Sequence, residues 1–273
     1  MIGSFYLFTF REIPVRIHFT TFFLLLWFYD WSHSLILAVI FSLLLLSSIY
    51  LHELGHSLLS QRYGVKVKDI LLTPVGGVAR MLGLPENPHH EIRIALAGPY
   101  VSLSLALAGA GITYISRQLL PPFFTLLFYY FTVLNTMLFL FNLLPSFPMD
   151  GGRVLRGILT MKKGMLEATR IASLLGKILS AGFILIGLST RQTSLAIIGV
   201  IIFYLAGQEY RIARMNAWMY RDSMGPALEN EFVASPPPYA QPSSPKIPSG
   251  FPGDLLITAQ DLYREIRKII FPE

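Results

Sequence analysis

His52-Glu53-Leu54-Gly55-His56 is the stretch of this sequence with the clearest chemical meaning. On a helix, residues four apart share a face, so both imidazoles can reach one metal ion. Glu53 stands beside the first histidine without competing for the metal. That is the place of a general base acting on a water activated there. An imidazole-rich set suits zinc, which lowers the pKa of its water to about 7. The chain holds only six histidines, so two of them bracketing a glutamate at ligand spacing is a specific signal.

A catalytic zinc keeps three protein ligands and one open position, so a third ligand is needed. Glu86, His89, His90 and Glu91 sit in a polar, proline-flanked loop whose composition is that of a solvated surface. Glu209 and Asp222 follow the last apolar stretch among arginines, where surface pairing accounts for them. Asp150 is different. It ends a long apolar run in Asn142-Leu143-Leu144-Pro145-Ser146-Phe147-Pro148-Met149-Asp150-Gly151-Gly152. Pro145 and Pro148 stop or bend a helix, and Gly151 and Gly152 let the backbone turn sharply. The expectation is a carboxylate on a non-helical segment at membrane depth, tolerated only where protein or a watery cavity surrounds it. Asn142, one or two turns earlier, is a candidate to bind substrate or an oxyanion. Equally, it can satisfy backbone freed by Pro145.

These residues need elements to carry them. Hydrophobic residues make up 53% of the chain and charged residues 14%, against about 25% charged in an ordinary soluble domain. Bilayer is therefore the expected solvent. Apolar stretches cover 15–31, 35–59, 94–116, 119–145, 171–189 and 193–207. The basic residues alternate between their ends. Arg11 and Arg16 precede the first stretch, and no Lys or Arg separates the first from the second. Arg62, Lys66, Lys68, Arg80 and Arg93 follow the second, and Arg117 alone follows the third. Arg153, Arg156, Lys162, Lys163 and Arg170 follow the fourth, Arg191 alone the fifth, and Arg211, Arg214 and Arg221 the sixth. The positive-inside rule then predicts both termini in the cytoplasm of a multi-pass cell-membrane protein. It also assigns the net charge of +6 to cytoplasmic loops, with no nucleic-acid partner. Spans two and four then run the same way, so His52, His56 and Asp150 lie on one side of the membrane. The fold class expected is an all-α polytopic membrane protein of about six transmembrane helices. A small β-hairpin, at about 65–81 and turning at Gly76-Gly77, is inserted between spans two and three.

The HELGH motif, the Gly-Gly hairpin, Ala97-Gly98-Pro99 and the NLLPSFPMDGGRVLR run, in that order, together resemble the site-2 protease family. The likeness is strongest to compact bacterial members of the sporulation factor-B type, and it covers most of 16–214. The resemblance implies one Zn²⁺ bound by His52, His56 and Asp150, with Glu53 as the acid/base. It also implies cleavage of transmembrane protein substrates in regulated intramembrane proteolysis. Two departures stand out: Met149 replaces the usual leucine, and Ser146-Phe147 interrupts a stretch that is often richer in proline. No inserted PDZ-like domain is visible and the tail is too short for paired CBS domains, so substrate choice and any regulatory membrane partner stay unassigned.

The domain organisation expected is an intramembrane metalloprotease domain at 1–220, a Pro/Ser-rich cytoplasmic linker at 221–253 and an amphipathic helix at 254–273. The functional expectation is a zinc metalloendopeptidase working within the lipid bilayer. The alternatives are a membrane metal transporter or carrier, which leaves Glu53 without a role, a catalytically silent adaptor, and a zinc peptidase whose third ligand is a later glutamate. His18 reads as an interfacial core histidine, and Lys177 as a side chain snorkelling towards the cytoplasm.

Overall fold

The structure, a computed structural model, describes residues 3–74, 76–83, 85 and 87–224. In chain order these form β1 (Ser4–Phe10), β2 (Ile13–His18), a 3-10 turn (Phe19–Thr21), α1 (Phe22–Ser32), α2 (Leu35–Arg62), β3 (Val67–Thr73), β4 (Gly76–Met81), α3 (Pro88–Leu119), α4 (Pro122–Asn142), α5 (Asp150–Lys163), α6 (Met165–Ser189) and α7 (Thr193–Met224). Five of them, α2, α3, α4, α6 and α7, are long and apolar enough to cross a membrane.

The first expected span is not one helix. Ile13, Val15 and Ile17 alternate with Pro14, Arg16 and His18, a period of two that suits a strand. β2 pairs antiparallel with β1 and parallel with β3, Val15 facing Ile70 and Ile17 facing Leu72. Only after the 3-10 turn does the chain become helical, for 11 residues. The apolar run at 15–31 hid this change because hydropathy alone does not separate a buried strand from a helix, and one of the two strands flanking β2 lies more than fifty residues away. His18 closes the strand by capping the 3-10 turn, its Nδ1 2.7 Å from Thr20 Oγ1.

The sheet has four strands in the order β1-β2-β3-β4. β3 and β4 are an antiparallel pair between α2 and α3 in the chain, with Thr73 facing Gly76 at the turn end. One face of the sheet packs on the middle of α2: Ile13, Val15, Ile70 and Leu72 close around Ile49. Along the rest of α2, Phe28 and Trp31 of α1 meet Phe41. β2 and α1 together therefore run beside α2 in the opposite direction. Six strand residues and eleven helical ones reach about 37 Å, close to the roughly 42 Å of α2.

α5 is a second departure from the sequence reading. Asp150 is its first residue, where a carboxylate complements the helix dipole. Gly151 and Gly152 are helical and do not make the turn expected of them. Their role is space: a Cβ on Gly151 would overlap the carbonyls of Leu143 and Leu144, and one on Gly152 would lie 2.5 Å from the backbone of Phe147 and Ser146. Residues 88–91, expected as solvated loop, form the first turn of α3, opened by Asn87 as N-cap and Pro88. α7 continues to Met224, past the expected boundary at 220. The remaining linker and the amphipathic helix at 254–273 lie outside the described residues.

Candidate metal centre

His52 and His56 leave the same face of α2, and α5 brings Asp150 to them. His52 Nε2 lies 3.0 Å and His56 Nε2 3.1 Å from Asp150 Oδ2, and the two nitrogens are 3.2 Å apart. All three side chains are buried. Ligands about 2.0–2.1 Å from a tetrahedral zinc stand about 3.3 Å from one another. The triangle is thus close to one face of a zinc tetrahedron.

The surroundings fix the donor set. His56 Nδ1 is 2.7 Å from the carbonyl of Ile94, an acceptor only, so the proton sits on Nδ1 and the Nε2 lone pair faces the centre. His52 Nδ1 is 2.8 Å from Ser102 Oγ, which orients the second ring. Two such nitrogens and a carboxylate oxygen pressed within 3.2 Å repel one another unless a cation or proton lies between them. α3 can pass over this group because residue 98 is glycine: an added Cβ would collide with His56 Nε2 and lie 2.6 Å from His52 Nε2. Gly55, inside HELGH, serves the same contact between helices, since a Cβ there would be 3.0 Å from Ala97 O.

Glu53, on the neighbouring face of α2, is buried against the sheet. Its Oε2 accepts from the Ala79 N–H of β4 at 3.0 Å, and Gly77 gives its side chain room.

A model of peptidase family M50 matches residues 40–120 and 121–186. This chain belongs to that family, the site-2 proteases. Zinc metalloprotease MJ0392 of Methanocaldococcus jannaschii is 39% identical over 218 residues, which cover 77% of this chain and 61% of that protein. A solved structure titled Site-2 Protease from Methanocaldococcus jannaschii superposes with a TM-score of 0.61 at 39% identity, covering 76% of this chain and 95% of the other. Stage IV sporulation protein FB of Bacillus subtilis is 31% identical over 117 residues, 41% of this chain and 38% of that one. The chain spans less than two thirds of the length of these curated relatives. The family and the apolar helices together make it a multi-pass membrane protein. In a family whose relatives are zinc metalloproteases, His52, His56 and Asp150 are a group able to hold that ion.

The loop that leads to Asp150 is anchored from three sides. Phe147 is buried, its N–H donates to Ala172 O of α6 at 3.3 Å, and its carbonyl lies against Gly176. The Arg156 guanidinium lies 5.0 Å from the Phe147 ring centroid. Arg156 also donates through Nε to Glu91 Oε1 at 2.7 Å, and through a second nitrogen to the same oxygen. Glu209 of α7 comes within 3.9 Å of that guanidinium. Glu91, expected in a solvated loop, is fully buried and ties the start of α3 to α5. The signal was available: Asn87-Pro88 is a helix start, and Glu91 then falls in its first turn.

Not every candidate joins the centre. The Asn142 amide donates back along α4 to Leu138 O at 2.9 Å. His90 stacks on Tyr63 with centroids 4.0 Å apart. Lys177 lies 5.7 Å from the Phe203 ring on α7. Sequence reasoning missed Ser102 and the Ile94 carbonyl, which carry no motif of their own, and it marked Gly98 and Gly77 by their motifs without showing which side chains they clear.

Two predictions arise from these contacts. Gly98→Ala is expected to weaken zinc binding about 10–100-fold, the equivalent of an overpacking penalty of ~1–3 kcal/mol. Competition with a chromogenic chelator measures it, and wild-type affinity would show that α3 has room to spare. Arg156→Met leaves Glu91 buried without that guanidinium, at a cost of about 3–5 kcal/mol. The double variant Glu91→Leu/Arg156→Met is expected to recover much of the loss, read as thermal midpoints in detergent. A double variant no more stable than the single one would remove the ion pair from the account.

Proposed function

We propose that this chain is an intramembrane zinc metalloendopeptidase that hydrolyses peptide bonds of transmembrane substrate proteins. The supporting observation is the buried triangle of His52 Nε2, His56 Nε2 and Asp150 Oδ2, with sides of 3.0, 3.1 and 3.2 Å. Zinc held there supplies a Lewis acid for the scissile carbonyl and acidifies a water.

The residues of the chain do the rest. His52, His56 and Asp150 hold the ion in a fixed place, with Ser102 and the Ile94 carbonyl keeping both rings in orientation. Glu53 takes a proton from the attacking water as its oxygen bonds to the carbonyl carbon. It then delivers that proton to the amide nitrogen as the C–N bond breaks. A transmembrane helix hides its carbonyls in its own hydrogen bonds, so the substrate must unwind near the site. The open edge of β4 receives the unwound segment as an added strand. Asn142, half-buried before the Asp150 loop, turns its amide from Leu138 to the substrate backbone.

The membrane topology belongs to the same proposal. β2 and α1 make the first crossing jointly, with the backbone of β2 satisfied on both sides by β1 and β3. Six crossings and the alternating basic loops then put both termini in the cytoplasm, with the catalytic group at the cytoplasmic side of the bilayer.

The test is reconstitution in liposomes with single-span substrate proteins. Cleavage should stop on removal of zinc by a chelator and return when zinc is restored. Zinc-loaded protein that cuts none of them, yet passes zinc across sealed vesicles, would replace the protease reading with a metal carrier.

A further inference from the structure

Glu53 is engaged by the strand edge that the substrate is proposed to use. In an antiparallel pair, alternate residues of an edge strand turn their N–H away from the neighbouring strand. Ala79 faces Ile70 in the β3–β4 register, and its N–H goes to Glu53 Oε2 at 3.0 Å. Among the described residues β4 is an outer strand of the sheet, so this N–H belongs to the edge that faces away from β3. Gly77, two residues earlier on the same face, is where the Glu53 side chain crosses the strand: an added Cβ would overlap Glu53 Cγ and lie 2.9 Å from Oε1. Glu53 as a whole residue is nine-tenths buried. Its oxygens lie outside the cluster formed by the three ligand atoms, which are all within 4.8 Å of one another.

We propose that the Ala79 N–H is a latch on Glu53, and that pairing of a substrate strand along β4 takes over this N–H and frees the carboxylate for the reaction. The inference rests on the strand-addition reading above and adds a consequence to it. An added strand needs the same edge donor that Glu53 now occupies, so strand and carboxylate compete for one hydrogen atom. Strand pairing then raises kcat as well as lowering KM, and a substrate that reaches the metal centre without covering β4 meets a restrained base. Ala79 is a positioning residue that acts through Glu53.

The test uses the full chain in nanodiscs with zinc bound. Ala79→Pro removes the latch hydrogen and spares the β3 ladder, because that N–H is not directed at β3. With a short fluorogenic peptide that lacks a flanking strand, kcat is expected to rise about tenfold, the scale of one hydrogen bond to a charged group. With a full transmembrane substrate KM should rise. An unchanged or lower kcat on the short peptide would overturn the latch, a fall showing that Ala79 holds Glu53 in its working position. Amide hydrogen exchange supplies a second reading that needs no turnover and survives misfolding of the proline variant. Exchange at Ala79 should accelerate in Glu53→Ala and slow again when a strand-forming substrate peptide is added. Exchange at Ala79 indifferent to Glu53→Ala, or to the peptide, would overturn the proposal. If the protease reading itself is wrong, wild type cleaves neither substrate, while the effect of Glu53→Ala on exchange still reports the latch contact.

Discussion

Glu53→Gln is expected to lower kcat about 10²–10⁴-fold while leaving zinc stoichiometry intact. That range is the usual contribution of a positioned general base. Glutamine keeps the length and shape of the side chain. Its carbonyl oxygen can still accept from Ala79 N–H, 3.0 Å from the native carboxylate, so the buried seat is not disturbed. Neutral amide cannot take the proton from water, and that single loss is what the substitution isolates. The measurement is cleavage of a reconstituted transmembrane substrate, with metal content determined on the same preparation. Full activity with zinc bound would remove Glu53 from the chemistry, and loss of zinc would mean that it acts on the metal site instead. In cells, membrane proteins that accumulate intact beside the Glu53→Gln variant become candidate substrates.

Asp150→Ala is expected to strip the metal. A structural zinc in a small domain is held by about 10–16 kcal/mol in all, so one of a few ligands accounts for about 3 kcal/mol or more, a hundredfold or greater loss of affinity. The loss should be larger than for Arg156→Met or Gly98→Ala, which disturb the geometry and keep all three ligand atoms. The side-chain oxygen concerned lies within 3.1 Å of both imidazole nitrogens. Glu209→Ala is the matched control. That glutamate is directed at Arg156, at 3.9 Å, and a zinc site that used it as third ligand would lose metal in this variant. Zinc retained in Asp150→Ala and lost in Glu209→Ala would overturn the ligand assignment.

The metal-binding group was partly legible because two of its three members are local. His52, Glu53 and His56 lie within five residues on one helix, and helical periodicity alone puts the two imidazoles on one face. The long apolar helices were legible for a similar reason: each satisfies its own backbone, so length and composition suffice to recognise it. Asp150 was singled out because it ends an apolar run between prolines and glycines, although the helix it begins was not foreseen. Its seat at the start of α5 depends on Gly151 and Gly152 fitting against the carbonyls of the preceding loop, a fit visible only after the chain has folded back on itself.

The amino-acid sequence by itself determined the residues able to ligate a metal and the five long apolar helices in their order, since periodicity, propensity and hydropathy act over a few turns of chain. Tertiary structure decided what depends on contacts between distant residues. It placed the strand at residues 13–18 between β1 and the distant β3. It buried Glu91 against Arg156, sixty-five positions away. It also set glycines 77 and 98 where the carboxylate and imidazoles needed clearance. A backbone hydrogen bond across a sheet, or a missing Cβ beneath an imidazole, has no signature in the neighbouring residues, because the group it serves arrives from elsewhere in the chain.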